Sequence, residues 1–327
     1  MQIIYLPTTD PEFNLAAEEY FFNSSDTDIC ILWQNEDSII VGRNQNTLSE
    51  INIEKVKALN IKVVRRMSGG GAVFHDLGNL NYTFITQNNH LDYLNFAKFT
   101  QPIIEVLSKM GICAQLSGRN DLLIDGKKFS GNAQYINKEK LLHHGCLLFS
   151  ANIDRLSELL NCNPEKIRSK GISSVKNRVT NISEHLSESM NVLEFKDRII
   201  EHVLNIDSAV LREVLPEDIS AIEKLRKEKY STWEWNYGYS PKYKFHKINY
   251  FPSGGIEVNL DIKNGIIEKS EIFGDFFSLY ELSDFENLLI GLKHNEESIS
   301  SFLDLDSINF NNYFAGMTKQ QLMDCFF

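Results

Sequence analysis

The alternation of short strand-like segments with helical ones is the feature of this sequence that most constrains its fold. The strand-like segments are rich in β-branched or aromatic residues and are bounded by Asn, Asp or Gly; they cover 29–33, 38–42, 61–64, 80–85 and 141–149. Helical patterns lie between and after them at 13–22, 51–59, 100–110, 152–160, 191–204 and 217–228. The alternation predicts an α+β fold, a mixed sheet with flanking helices.

The clearest helical pattern covers residues 100–110. Its apolar residues recur at helical spacing and form one face: Ile103, Val106, Leu107 and Met110. Pro102 suits a first helical turn and Gly111 a helix end, so we expect a helix that begins near Thr100.

The last quarter of the chain differs in pattern and in charge. Segments 244–249, 255–262 and 265–273 predict a small antiparallel sheet with Asn264-Gly265 as a hairpin turn, followed by a helix near 279–292. Residues 250–327 carry four Lys/Arg against 13 Asp/Glu. We therefore expect a catalytic domain over 1–245 and a small acidic accessory domain over 246–327.

Composition and charge exclude several classes of protein. The net charge of −11 argues against broad binding to nucleic acid or to an anionic membrane surface, and no apolar run approaches the length of a membrane span. Five widely separated cysteines without a C-x-x-C pair indicate neither a disulfide framework nor a zinc site. The N-terminus lacks the pattern of a signal peptide, so we expect a cytoplasmic protein.

Residues 65–76 read RRMSGGGAVFHD and contain the most informative loop. Three consecutive glycines allow a ligand to approach backbone N–H groups, as in anion-binding nests, and two arginines beside them favour an anion. The loop matches neither a Walker A sequence nor a spaced G-x-G-x-x-G. A bare triglycine more often marks a flexible connector, so both interpretations stay open at this point.

A second informative stretch covers residues 118–134. It predicts a hairpin with a turn at Asp125-Gly126, in which Lys128 returns on the second strand between small residues. One of Lys127 and Lys128 is expected to be an ordinary surface lysine. Residues 127–178 hold ten Lys/Arg and four Asp/Glu, a net of +6, which either steers an acidic partner or forms a solvated face.

Together these segments resemble the lipoate–protein ligase A family in its long bacterial form with an accessory C-terminal domain. The matching motifs occur in order: R-R-x-S-G-G-G-A-V-x-H-D-x-G-N at 65–79, G-R-N-D at 118–121, K-x-S-G-x-A at 128–133, H-G-x-L at 144–147 and K-G-I-x-S-V-x-x-R-V-x-N at 170–181. W-x-W-N-x-G at 233–238 and FGDFF at 273–277 extend the resemblance over almost the whole chain.

The resemblance implies activation of lipoate with ATP to lipoyl-AMP, followed by transfer to a lysine of a 2-oxoacid dehydrogenase E2 lipoyl domain or of glycine-cleavage H protein. It implies Lys128 as the catalytic residue and the following contacts to ATP or the adenylate: Arg66, Gly71, Ala72, Val73, Phe74, Asn120 and Lys128. Lipoate would be bound by Arg66, Ser68, His75 and Lys128, and Mg²⁺ by Asp121. A compact ammonium at Lys128 is suited to bridging a carboxylate and a phosphate.

Three alternatives stay open in the sequence. An ATP-independent lipoyl or octanoyl transferase on the same fold would need an activated cysteine, for which Cys162 is the candidate, although its Asn161-Cys162-Asn163-Pro164 context differs from the Asn-Pro-Cys-Gly of octanoyltransferases. A biotin–protein ligase is a relative with a different glycine loop. The third is a catalytically idle acyl-binding protein, which Lys128 and Asp121 argue against.

Overall fold

The computed structural model describes residues 1–87, 92–118, 120–137, 139–160, 178–206, 209–239, 242–276 and 278–327. The chain divides into two units, Met1–Thr232 and Trp233–Phe327. The assignment of a catalytic domain to 1–245 and an accessory domain to 246–327 stays a prediction. Cys162, residues 170–177 of the fifth motif and Phe277 lie outside the described residues.

The six helical segments predicted for the first unit are helices in the structure, and a short helix at Thr47–Glu50 was not predicted. The helices of this unit are α1 (Pro11–Ser24), α2 (Thr47–Glu50), α3 (Ile53–Ala58), α4 (Phe96–Lys109), α5 (Ile153–Leu159), α6 (Val192–Ile206) and α7 (Pro216–Leu225), with short turns at Ile182–His185 and Arg226–Tyr230. Side-chain caps begin several of them; Asp10, for example, accepts a hydrogen bond from the backbone N–H of Glu12 at the start of α1.

The strands of the first unit form two sheets. They are β1 (Gln2–Tyr5), β2 (Ile29–Trp33), β3 (Ser38–Val41), β4 (Lys62–Arg65), β5 (Val73–His75), β6 (Asn79–Gln87), β7 (Ala114–Ser117), β8 (Asp121–Ile124), β9 (Lys127–Ile136), β10 (Lys140–Leu148) and β11 (Val210–Leu211). Within the described residues the larger sheet has the order β11-β1-β2-β6-β10-β9-β8-β7. Strand β1 is parallel to β2 and β11 while the other neighbours are antiparallel, so the predicted mixed sheet is confirmed.

The smaller sheet positions the glycine loop. Its order is β4-β3-β5, with β3 parallel to β4 and antiparallel to β5. Because β4 and β5 flank β3, the connection 66–72 must cross the end of β3. The backbone N–H of Arg66 donates to Val41 (3.0 Å) and that of Arg43 to Ser68 (2.8 Å), which fixes this crossing.

Helix α4 corrects one sequence expectation. It begins at Phe96 rather than near Thr100, and Pro102 therefore lies inside the helix instead of in its first turn. Proline in a helix interior costs about 3 kcal/mol. Phe96 and Phe99, which the expected helix omitted, are buried, and burying such side chains contributes about 1.5–3 kcal/mol each, so packing offsets the cost.

The second unit contains the predicted antiparallel sheet. Its strands are β12 (Tyr243–Phe251), β13 (Gly254–Lys263) and β14 (Ile266–Gly274), and its helices are α8 (Leu282–Leu289), α9 (Glu296–Leu303) and α10 (Lys319–Phe326), with short turns at Glu234–Gly238 and Phe310–Asn312. Asn264 and Gly265 both have positive φ, at 52° and 74°, as expected for the hairpin turn. Across the described parts of both units, no helix has the length and apolar character needed to cross a membrane.

Candidate active site

A cavity of about 180 Å³ lies between the larger sheet and the glycine loop. Residues of β2, β6, β9 and β10 form its floor, and the connection between β4 and β5 lies across it. The lining brings together predicted residues that are far apart in the chain: Arg66, Gly71, Ala72, Val73, His75, Asn120 and Lys128. Ser68, Phe74 and Asp121 are outside this lining in the described structure, and Phe74 is buried on β5 opposite Ile39.

Arg66 holds the glycine loop in shape. Its Nη2 donates to the carbonyl oxygens of Gly69 (2.7 Å) and Gly71 (2.8 Å), its Nη1 to Ile40 (3.0 Å), and its Nε to Ser68 Oγ (3.1 Å). Burial lowers the pKa of Arg66 to about 10, which leaves the guanidinium charged at neutral pH. Arg66 thus positions the loop, with most of its N–H donors already used.

Two glycines are required by this arrangement. Gly70 has φ of 95°, a left-handed conformation that side chains rarely adopt. At Gly42 a Cβ atom would lie 2.1 Å from the carbonyl oxygen of Gly70. The close approach of residues 42 and 70 therefore depends on a missing side chain as well as on a flexible backbone.

Arg65 does not act as the sequence suggested. Its side chain is fully buried, and its Nη1 donates to the carbonyl oxygens of Gly42, Arg43 and Gln45 at 2.8–2.9 Å, while Nη2 donates to Thr47 Oγ1 at 2.7 Å. The expectation that both arginines attract an anion is therefore wrong for Arg65. Adjacent residues at a strand end point in different directions, and here one supports residues 42–47 and the other the glycine loop.

Lys128 is the half-exposed cation of the site. The predicted hairpin is confirmed as β8 and β9, and the Nζ of Lys128 forms an ion pair with Asp121 Oδ1 at 2.7 Å. The same Nζ lies 3.0 Å from the position that a Cβ atom would take on Gly131, so the ammonium extends over that glycine. The backbone of Lys128 bonds to Arg178 and Thr180, which fixes the strand from its other side.

Asn120 is held next to Lys128 by a reciprocal amide pair. Its Nδ2 donates to the carbonyl oxygen of Asn132 (2.6 Å), and Asn132 Nδ2 donates to that of Asn120 (3.1 Å). The buried hydroxyl of Tyr82 donates to Asn132 Oδ1 and fixes its amide. The sequence motif located Asn120, but nothing in the sequence pointed to Tyr82 as its support.

A buried polar network that the sequence did not reveal runs along the floor. Ser68 Oγ lies 2.6 Å from Nε2 of His144, and Nδ1 of His144 lies 3.0 Å from Oε1 of Glu18. Thr83 Oγ1 also donates to Glu18, and Trp33 Nε1 donates to Thr83 Oγ1 at 3.1 Å. The H-G-x-L motif could have indicated His144, whereas Glu18 carries no local signal because it is an ordinary residue of α1.

His75 is a neutral hydrogen-bond donor in the cavity wall. Burial lowers its pKa to about 3, with the nearby Arg66 charge adding to the effect. Asn35 Nδ2 lies 3.2 Å from Nδ1 of His75. An amide nitrogen can only donate, so Nδ1 accepts and the ring proton is on Nε2. This Nε2 is buried and has no partner in the described structure, as expected of a group left for a ligand.

The three cysteines Cys30, Cys146 and Cys325 are not activated nucleophiles. Burial raises the pKa of Cys30 and of Cys146 to about 12 and that of Cys325 to about 11, so these thiols stay protonated at neutral pH. In the described parts of the chain, no group of three or more His, Cys, Asp or Glu side chains is arranged to hold a metal ion.

Comparison with known protein families identifies the chain. The model of the lipoyl protein ligase A/B catalytic domain matches residues 10–204, and the model of the bacterial lipoate protein ligase C-terminus matches residues 240–326. This chain belongs to the lipoate–protein ligase family. The ligase is 42% identical over 320 residues to lipoate-protein ligase LplJ of Bacillus subtilis and 42% identical over 317 residues to lipoate–protein ligase 1 of Staphylococcus aureus, covering 96% of each chain in both cases.

Solved structures of lipoate ligases share the fold of this ligase. A bipartite lipoate protein ligase of Thermoplasma acidophilum, described with its E2 lipoyl domain, has a TM-score of 0.66 at 28% identity and covers 74% of this chain and 98% of its own. A lipoate protein ligase of the same organism with bound lipoic acid has a TM-score of 0.62 at 25% identity, covering 72% and 98%. A lipoate-protein ligase A bound with ATP has a TM-score of 0.64 at 25% identity, covering 73% and 98%.

Proposed function

We propose that this enzyme is an ATP-dependent lipoate–protein ligase, which activates free lipoate as lipoyl-AMP and transfers the lipoyl group to a lysine of an acceptor protein. One observation carries the proposal. The cavity lies between the larger sheet, which forms its floor, and the glycine loop, whose backbone is exposed. Lys128 lies at the side where the sheet and the loop meet. Such a cavity suits an acid with an apolar tail beside a nucleotide phosphate. The related structures that hold lipoic acid and ATP support it.

We propose the residue roles that the resemblance implies, and the positions of the residues around the cavity support them. We assign Gly71, Ala72, Val73 and Asn120 to ATP and the adenylate, with Phe74 contributing through its backbone. Arg66 lies in the cavity lining and supports the binding of ATP and lipoate mainly by holding the loop carbonyls, and Ser68 acts through its bond to His144. His75 donates to lipoate from Nε2. Lys128 is the catalytic residue that touches both substrates.

In the first step a carboxylate oxygen of lipoate attacks the α-phosphorus of ATP, and the bond from that phosphorus to the pyrophosphate oxygen breaks. Two anions must approach each other while negative charge develops on the phosphate. Lys128 exchanges its bond to Asp121 for the carboxylate and α-phosphate, and the N–H groups of the glycine loop supply fixed dipoles. An interaction of this kind lowers the activation free energy by about 2.7–4 kcal/mol.

Mg²⁺ enters this scheme as part of the MgATP substrate. The described residues provide no cage of carboxylates, and Asp121 is the acidic side chain beside Lys128. Once Lys128 turns to the substrates, the Asp121 carboxylate is available to the ion. We propose that Asp121 and phosphate oxygens together hold Mg²⁺, which typically keeps few protein ligands.

In the second step the neutral amine of the acceptor lysine attacks the carbonyl carbon of lipoyl-AMP, and AMP leaves. We propose the lipoyl domains of 2-oxoacid dehydrogenase E2 subunits and glycine-cleavage H protein as acceptors. A related ligase described with its E2 lipoyl domain supports the first class. Free cysteines at Cys30, Cys113, Cys146 and Cys325 fit the proposed cytoplasmic location.

The proposal is tested by the intact mass of apo E2 lipoyl domain and apo H protein after incubation with the enzyme, lipoate and Mg²⁺, with and without ATP. We expect each accepted protein to gain one lipoyl group only when ATP is present. The matched controls are Lys128→Ala, with which the acceptor should gain the lipoyl group about 10²–10³ times more slowly, and Lys127→Ala, which changes the exposed neighbour and should behave as the unaltered enzyme. Transfer from pre-lipoylated H protein without ATP would contradict the proposal and favour the cysteine-dependent transferase.

A further inference from the structure

Four residues form one row across the floor of the cavity. Strand pairing places Trp33 of β2 opposite Asn81 of β6, Asn81 opposite Cys146 of β10, and Cys146 opposite Gly131 of β9. All four residues line the cavity, and the Nζ of Lys128 lies over Gly131. The row therefore runs from the catalytic ammonium to the indole of Trp33.

The spacing of the strands shows how far along this row a bound lipoate would extend. Neighbouring strands are about 4.8 Å apart, so Asn81 lies two spacings, about 10 Å, from Gly131. In lipoate, five single bonds of about 1.5 Å join the carboxyl carbon to the dithiolane ring, which puts the ring sulfurs about 8 Å from that carbon when the chain is extended. With the carboxylate at Lys128, the ring reaches Asn81.

Asn81 has a hydrogen-bond donor without a partner at this position in the row. The residue is 1% exposed, and its Nδ2 is buried with no hydrogen-bond partner in the described structure. The second unpartnered donor of the lining is Nε2 of His75, whose ring packs edge-on against Trp33 at 6.1 Å. Two N–H donors thus flank Trp33 at the end of the row remote from Lys128. Buried donors without partners are rare, because each costs free energy when no acceptor is present.

We propose that Asn81 donates a hydrogen bond to a ring sulfur of lipoate, so that with His75 it selects a dithiolane over a plain hydrocarbon chain. The inference deepens the proposed function and rests on it for the orientation of lipoate. Divalent sulfur is a weak acceptor, but it is the acceptor that lipoate carries and octanoate lacks. A hydrocarbon in the same place leaves both donors unpaired, and sites built to donate a hydrogen bond reject analogues that lack the acceptor.

The test compares three acids: lipoate, octanoate and 5-cyclopentylpentanoate, whose ring has the size of dithiolane without its sulfurs. Dissociation constants are measured by calorimetry without ATP, and kcat/KM by acid-dependent ATP–pyrophosphate exchange. We expect the unaltered enzyme to prefer lipoate over the cyclopentyl acid by about tenfold, the equivalent of one hydrogen bond. Asn81→Leu, of similar shape, should reduce that preference to about twofold by weakening lipoate alone. Asn81→Ser keeps a donor and should retain part of it.

Asn287→Leu is the matched control, since Asn287 is exposed on α8, and it should leave all three constants unchanged. Equal losses for the three acids in Asn81→Leu, or an unchanged preference, would overturn the inference. Selective lipoate binding without any pyrophosphate exchange would refute the proposed function but support the role of Asn81. Pyrophosphate exchange at equal efficiency with all three acids in the unaltered enzyme would support the proposed function but refute the role of Asn81.

Discussion

The two cationic regions that border the cavity use their charges differently. Arg65 at the end of β4 and Arg66 at the start of the connection are buried, and carbonyl and hydroxyl oxygens accept from their guanidinium groups. In the hairpin of β8 and β9, Lys128 is half-exposed and pairs with Asp121. A planar guanidinium with several fixed acceptors shapes the backbone, whereas a flexible ammonium with one carboxylate partner can exchange it for substrate. The comparison predicts that arginine substitutions act on stability and lysine substitutions on the reaction.

Lys128→Ala should give the largest effect. We expect kcat/KM for lipoate-dependent pyrophosphate release to fall by about 10²–10³, the size of one lost electrostatic contact to the transition state. The free energy of unfolding in urea should stay within about 0.5 kcal/mol of that of the unaltered enzyme, as for other surface substitutions. Lys127→Ala serves as the control. Similar losses in both variants would break the comparison.

Arg65→Met should act in the opposite way. The substitution keeps much of the side-chain volume but leaves the carbonyl oxygens of Gly42, Arg43 and Gln45 without their donor. We expect the free energy of unfolding in urea to fall by about 3 kcal/mol, since each buried unpaired group costs about 1–3 kcal/mol. An unchanged unfolding midpoint together with lost activity would mean that Arg65 belongs to the reacting site after all.

His143→Phe extends the comparison to a base that burial keeps neutral. The ring of His143 stacks on Phe99 at 5.0 Å, and burial lowers its pKa to about 3. The unfolded chain, with a histidine pKa of about 6.5, takes up the proton first, so stability falls as the pH drops from about 6.5 toward 3. At pH 5 this loss is about 2 kcal/mol, at 1.36 kcal/mol per pH unit.

We expect His143→Phe to avoid that part of the loss. The measurement is the difference in unfolding free energy between pH 7.5 and pH 5, for the variant and the unaltered enzyme. Equal differences in the two proteins would show that His143 is already protonated in the folded protein at pH 5. Burial would then not keep this histidine neutral.

The smallest effect is expected for the reaction of Cys146 with lipoate. Lipoate contains a disulfide that a thiolate can attack, but burial raises the pKa of Cys146 to about 12 and keeps it a thiol at neutral pH. Peptide mapping after incubation with lipoate at pH 7.5 should therefore find Cys146 unmodified. A lipoate adduct on Cys146 would show that this thiol is reactive. Burial would then not be enough to keep a group of the cavity floor from reacting, in contrast to the half-exposed Lys128.

Much of the fold was predictable from local pattern. The strands β2, β6 and β10, the hairpin at Asp125-Gly126 and the sheet of the second unit were located within a few residues, because alternation and turn residues are local properties. Strand β1 and the separation of β3, β4 and β5 into a second sheet were missed. Those depend on which strands pair, and pairing is decided by contacts between residues distant in the chain.

The sequence by itself indicated the family and located the glycine loop and Lys128 as candidate site residues, since each is marked by a run of adjacent residues. Only the tertiary structure decided that Arg65 supports residues 42–47 while its neighbour holds the loop. It alone brought Glu18 to His144 and set Asn81 between Trp33 and Cys146. The physical reason is that hydrogen-bond partners and cavity floors are properties of strand register and burial, which single-residue patterns do not encode.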